Sequence, residues 1–166
     1  MGFLVAVSGA VPPSKGMVRL GGDGRAAAIQ AAEARPDEPD YDAIVARRRC
    51  RLLLTIPGLF TPGWLPNGAT VTPDDGCRFA LHGVTARLVC AAVPRAEVVS
   101  GWDLAESRPK AAELAAPTGS VYWLDDVEAT PEALRKLVEQ GLWNDPCEDA
   151  SRRAEGFNRI ALAAWG

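Results

Sequence analysis

The sequence predicts an α+β sandwich of the ferredoxin-like kind, an antiparallel sheet with helices packed on one face. Three observations carry that expectation. Strand-like runs outnumber helical ones, several connections are short enough to join antiparallel neighbours, and one well-formed amphipathic helix leads back toward a terminal strand. With 166 residues, 48% of them apolar, the chain fits one ordinary domain over residues 1–166 and can bury a core without covalent staples. No internal repeat is visible.

The elements follow in order. Phe3 to Val7 is a short apolar run ended by Ser8-Gly9 and reads as a strand. Val11 to Gly24 is rich in Gly and Pro and leads through Arg25 into AAAIQAAEA, which alanine propensity makes a helix although Ile29 is its one large apolar residue. Pro36 to Asp42 is an acidic loop, and the basic run RRRCR from Arg47 to Arg51 precedes a buried strand, Leu52 to Ile56, bounded by Pro57 and Gly58. A polar loop through Asp74-Asp75-Gly76 follows. Strands from Val84 to Ala92 and from Ala96 to Ser100, with Pro94-Arg95 between them, then form a hairpin. Val121 to Leu124 is another strand. Thr130 is the N-cap of a helix with Pro131 at its first position, and Gly141 sits at its stop. Leu134, Leu137, Val138 and Leu142 share one face of that helix, while Glu132, Arg135, Lys136 and Glu139 face water. Arg159 to Trp165 alternates, with Ile160, Leu162 and Ala164 on one side, and reads as a terminal strand.

Composition removes several classes of function. A formal net charge of −3 argues against coating nucleic acid by bulk positive charge, so an anionic ligand has to be held by a local patch. Cys50, Cys77, Cys90 and Cys147 are scattered, with no CxxC pair, and read as buried structural thiols; neither a metal nor another cofactor is implied. Met1 to Ala10 lacks the positive start of a signal peptide, and no apolar run reaches membrane-span length, so the expected compartment is the cytoplasm with no membrane partner. His82, the sole histidine, has no nucleophile or carboxylate pattern around it, and a packing or surface role is expected. Asp125, Asp126 and Glu128 suit a polar strand-to-helix connection better than a metal site. GGDG at Gly21 to Gly24 lacks the Lys-Ser/Thr of a phosphate loop and reads as a glycine turn, with anion contact by Arg25 as the alternative.

The most informative stretch runs from Val99 to Leu124, a long loop between strands. Trp102, Arg108 and Lys110 put an aromatic near two cations, the set that stacks bases and pairs phosphates of single-stranded nucleic acid. Gly119 and Ser120 add backbone amide and hydroxyl donors. Trp102 buried against the sheet is the competing reading. Arg152, Arg153, Gly156, Phe157 and Arg159 repeat the mixture near the C-terminus. The RRRCR run fits either a phosphate-attracting cluster or a solvated strand edge, its alternation sending side chains to both faces.

Five blocks in order carry a family resemblance: LGGDGRAA (20–27), LLLTIPGLFTPGWLP (52–66), VSGWDLAESRPKA (99–111), PTGSVYWLDD (117–126) and EGFNRIALAAWG (155–166). Together they resemble the C-terminal half of a RAMP-superfamily CRISPR protein, the third subunit of the type III-B Cmr effector module, in the Cas5-like group. The resemblance implies an RRM-like RAMP domain belonging to a longer two-domain family, and it implies strand and turn rather than helix for LGGDGRAAAIQA. It further implies a non-catalytic antiviral-defence subunit at the foot of the effector complex. Such a subunit binds the 5′ tag of the CRISPR RNA and contacts the large polymerase-like subunit and the backbone RAMP subunits. On that reading Trp102, Arg108, Lys110, Gly119 and Ser120 are the RNA contacts, with Arg25, Arg152 and Arg153 in support. Where family members carry a second glycine in the C-terminal segment, this chain has Asn158, which makes close backbone approach to RNA there unexpected. Two alternatives are a metal-independent endoribonuclease using His82 or Lys110, and a pure assembly module anchored by exposed Leu59, Phe60, Trp64 and Leu65.

Overall fold

A computed structural model describes residues 5, 7, 9–20, 24–33, 38–74 and 76–165. The chain divides into two compact units, 1–38 and 39–166. The strand expected over Phe3 to Val7 lies outside the described residues.

The first unit contains a hairpin in which β1 (Lys15–Leu20) pairs antiparallel with β2 (Arg25–Gln30), in register from Lys15 opposite Gln30 to Leu20 opposite Arg25. The alanine run therefore begins as a strand, against its helix propensity. An isolated helix with one large apolar residue has no face to bury, whereas pairing with the adjacent Met17-Val18 strand satisfies every second backbone group.

The second unit is built on a six-stranded, wholly antiparallel sheet. Its strands are β3 (Arg49–Leu54), β4 (Ala69–Thr72), β5 (Gly76–Leu81), β6 (Val84–Ala92), β11 (Val121–Glu128) and β12 (Ile160–Ala164), in the order β12-β3-β11-β6-β5-β4. Between β6 and β11 lie the short strands β7 (Glu97–Val99), β8 (Trp102–Asp103), β9 (Arg108–Pro109) and β10 (Glu113–Ala115). The helices are α1 (Tyr41–Arg47), α2 (Pro131–Gln140) and α3 (Ala150–Ala154). The fold is thus α+β with antiparallel pairing throughout.

Alternation builds the core. Cys50, Leu52 and Leu54 of β3 point inward to meet Tyr122 and Leu124 of β11, Val84, Ala86 and Leu88 of β6, Phe79 of β5, and Ile160 and Leu162 of β12. Ile44 of α1 and Leu134 and Leu137 of α2 close over that face. The α2 signals act as read: Thr130 Oγ1 accepts from Ala133 N at 3.2 Å, and the N–H of Gly141 donates to Leu137 O at 2.9 Å. Helix α1 is capped the same way by Asp40, whose carboxylate accepts from Ala43 N at 2.8 Å.

Several expectations change. The strand from Val84 does not turn back on the one at Ala96; β6 lies between β5 and β11, and β7 pairs with β10. Residues read as a polar loop supply β4 and β5. Asp125, Asp126 and Glu128 lie within β11, where Asp125 bonds Arg49 at 2.9 Å and Glu128 bonds Arg48 at 3.1 Å. Cys50 is buried but Cys90 is exposed, because the irregular β6–β11 register brings Cys90 to the open face. Phe60, expected as an exposed anchor, is a core residue, while Trp64 stays exposed. Arg49 and Arg51 share one face of the sheet, since Cys50 between them takes the buried side, rather than dividing between two.

Asn158 shows what replaces the expected glycine. Its φ is +63°, its side chain is fully buried, its Oδ1 accepts from Leu59 N at 2.6 Å, and its carbonyl accepts from Leu142 N at 2.9 Å. Asparagine adopts the left-handed conformation here and its amide ties two loops together, so this backbone faces the interior.

Candidate nucleic-acid interface

The long loop is a two-stranded β arm. At its base β7 and β10 pair, with Val99 opposite Glu113 and Glu97 opposite Ala115. Gly101, at φ +156°, interrupts the ribbon, and its carbonyl accepts from Lys110 N at 2.9 Å. Beyond it β8 and β9 continue the ladder, with Trp102 opposite Pro109 and Asp103 opposite Arg108. At the tip Asp103 Oδ1 accepts from Ala105 N at 2.9 Å and Glu106 N at 3.1 Å, closing the turn. The Glu106 amide holds the Asp103 carboxyl below its ordinary range, with Ala105, Lys110 and Arg108 assisting against slight desolvation.

Two anchors fix the arm to the sheet unit. Ala116 exchanges a pair of backbone hydrogen bonds with Gly58, both 2.8 Å, and Ala115 and Ala116 are buried. Arg152 of α3 forms the second anchor. Its Nε and Nη2 donate to Glu113 Oε1 at 2.9 and 2.6 Å, Nη1 donates to Glu155 at 3.0 Å, and Nη2 also reaches Ala111 O at 3.3 Å. The guanidinium lies over the Phe157 ring, 5.4 Å from its centroid. Burial opposes its charge, and the bonds to Glu155 and Glu113 more than offset that, raising its pKa. Lys110 pairs with Glu155 and closes the network, and that bond first, with Arg152 behind it, holds the Glu155 carboxyl low. A shallow groove of about 310 Å³ lies between arm and α3, with Asp103, Arg108, Lys110 and Arg152 in its walls.

The structure therefore brings together Arg108, Lys110 and Arg152 around the groove, gives them different work, and leaves Trp102, opposite Pro109, on the other face of the ribbon. Trp102 is 57% exposed, which excludes the buried reading, and Arg108 is exposed beside Glu106, with which it pairs. Lys110 and Arg152 are engaged in holding the arm. Arg153 donates to Gln140 at the end of α2. Arg25 belongs to the hairpin unit, opposite Leu20. Gly119 and Ser120 are corrected: Gly119 N donates to Leu54 O at 2.8 Å, and Ser120, fully buried, donates its hydroxyl to Pro117 O at 2.7 Å. Their donors are spent on the turn that opens β11, so none points outward to a phosphate. His82 sits at φ +52° in the β5–β6 turn and is absent from the groove that Lys110 lines. Among the described residues no cluster of His, Cys, Asp or Glu is arranged to hold a metal ion.

Residues 1–165 match the family model for the CRISPR-associated protein Cas_Cmr3. The chain belongs to the Cmr3 family. No curated protein matches it. Membership makes the chain a Cmr3 subunit of the type III-B CRISPR complex, working with other Cmr subunits. No helix among the described residues of this Cmr3 chain is long and apolar enough to cross a membrane.

Proposed function

We infer that this Cmr3 subunit is a non-catalytic RNA holder and scaffold, contacting the 5′ tag of the CRISPR RNA through the arm from Glu97 to Ala115. The observation that carries the reading is a ribbon, locked at its base by a buried guanidinium, that exposes Trp102 on one face and Arg108 on the other, in adjacent pairs of the ladder. A rigid ribbon presents its aromatic face and its cation at fixed spacing, which lowers the ordering cost of binding. The domain is of the ferredoxin-like, RRM-like kind: the strand order β12-β3-β11-β6 supports it, although β4 and β5 stand where that fold has its first crossover helix. The subunit works in the cytoplasm in antiviral defence, beside the large polymerase-like subunit and the backbone RAMP subunits.

The test is retention of tag-containing CRISPR RNA by the assembled complex carrying Trp102→Ala and Arg108→Ala. Retention falls, and the salt slope falls by about one for the lost phosphate contact. Unchanged retention and slope remove the arm from RNA binding. A second reading, in which the arm docks on protein, is favoured by one observation: Leu104 at the tip is 85% exposed, with Val98 and Leu114 also open. Crosslinks from the arm to a neighbouring subunit alone would establish that reading instead.

A further inference from the structure

A second groove, of about 340 Å³, shares Glu113, Asp149 and Arg152 with the one beside the arm but opens elsewhere, between the Leu59–Asn67 loop and the segment from Trp143 to Asp149. Its lower part is carbon. Buried Phe60 and Trp143 form the floor, and half-buried Leu59 and exposed Leu114 form apolar walls. The indole N–H of Trp143 donates to Phe157 O at 2.9 Å, which leaves only ring carbons for the groove.

Its rim is anionic. Glu148 Oε1 accepts from Asn67 Nδ2 at 2.7 Å and from Asn144 Nδ2 at 3.3 Å, and Oε2 accepts from Asn144 N at 3.1 Å. Asp149 Oδ1 accepts from Arg152 N at 2.9 Å as the cap of α3. Every one of these donors is a neutral amide. Glu113 spends its charge on the Arg152 guanidinium, whereas among the described residues neither Glu148 nor Asp149 pairs with a cation. The groove thus holds two uncompensated carboxylates already fixed in place, and since a carboxylate accepts about four hydrogen bonds, Asp149 keeps most of its capacity. Two fixed anions repel a phosphate and attract a cation, and the carbon floor below them suits the aliphatic stem of a basic side chain.

We propose that this groove docks a protein segment that presents an arginine between apolar residues, supplied by a neighbouring subunit of the Cmr complex. The guanidinium bridges Glu148 and Asp149, its stem lies over Phe60 and Trp143, and the flanking apolar side chains cover Leu59 and Leu114. Arginine fits better than lysine because its planar fork reaches two carboxylates at once. Charge complementarity carries the assignment: a basic segment neutralises the rim, and an RNA strand cannot. The site stands apart from the RNA reading of the arm, which turns on Trp102 and Arg108.

The full chain is titrated with the peptide acetyl-Leu-Arg-Leu amide while the indole N–H signal of Trp143 is followed by NMR. The peptide shifts that signal saturably. Its citrulline counterpart, alike in shape but uncharged, binds about 2- to 30-fold more weakly, the factor for two surface ion pairs. Glu148→Gln with Asp149→Asn keeps an acceptor at each site and a good N-cap for α3, and in that variant the two peptides bind alike. Equal binding of the two peptides by wild type, or no saturable shift from either, overturns the proposal. In the assembled complex, a photocrosslinking residue at exposed Thr61 on the groove's edge gives adducts on a protein segment that carries arginine. Adducts on the CRISPR RNA, or none on such a segment, also overturn it. The tag reading is scored separately, by Trp102→Ala and Arg108→Ala on tag-containing RNA, so either can fail without the other.

Discussion

Replacing Arg152 by alanine removes the guanidinium that ties the arm to α3. Its side chain is 5% exposed and makes three bonds to carboxylates, two to Glu113 and one to Glu155, besides one to the Ala111 carbonyl. Breaking a buried ion pair from one side costs about 3–5 kcal/mol. Here the carboxylates keep 43% and 34% of their side-chain surface in water and can rehydrate, which brings the cost to about 2–3 kcal/mol. At about 2–4 °C per kcal/mol for a chain of this size, the unfolding midpoint falls by about 5–10 °C. Hydrogen exchange gives the local readout: amides of β7, β9 and β10 lose protection in Arg152→Ala, while those of β3 and β11 lose it only to the extent of the global change. Arg152→Lys, which keeps charge but not the fork, recovers part of the loss. A midpoint within about 1 °C of wild type, with arm protection intact, would refute the clamp.

Three further outcomes are expected. Because Glu155 has a lowered folded pKa, its contribution is fully present above the unfolded glutamate value of about 4.3 and is lost as pH falls through the lower folded one. Acid unfolding below about pH 4.3 is therefore less steep in Glu155→Gln, and identical acid limbs would contradict this. Gly141→Ala is strongly destabilising, since a Cβ there meets the Asn158 carbonyl oxygen at 2.6 Å and φ is +70°; chemical denaturation showing less than about 1 kcal/mol of loss would overturn that reasoning. Under native conditions a thiol reagent modifies exposed Cys90 readily and Cys50 only on unfolding, because burial closes access to Cys50 and pushes its pKa up to about 12; equal rates would contradict the burial.

The parts of the fold written in local signals were legible in the sequence. Thr130, Pro131 and Gly141 mark α2 by capping chemistry, the alternation of Ile160 and Leu162 marks a strand with its buried face, and the apolar run from Leu52 marks β3, which however spans Arg49–Leu54 and buries one face only, with Leu53 and Ile56 exposed. Pairing partners were not legible. β7 is three residues long and finds β10 across a ribbon broken at Gly101, so nothing local distinguishes that partner from β6. The alanine run followed its register with β1 rather than its propensity, and α1 was hidden because its seven residues begin in an acidic stretch whose Asp40 is a cap. At the interface, residue types pointed to Trp102, Arg108 and Lys110, and one ribbon does carry them, with Arg108 and Lys110 lining the groove and Trp102 on the opposite face. The clamp was invisible because Arg152 and Glu113 are 39 positions apart, and the spent donors of Ser120 depend on a turn that only the folded chain makes.

The central claim, that the arm of this Cmr3 subunit holds the CRISPR RNA tag, is tested most directly by photocrosslinking. CRISPR RNA bearing a photoreactive uridine in its 5′ tag is assembled into the complex, irradiated, and the modified peptide is mapped. Adducts are expected on the peptide spanning Val99 to Lys110, centred on Trp102 and lost in Trp102→Ala. Tag adducts confined to other subunits, with none on this segment, would contradict it.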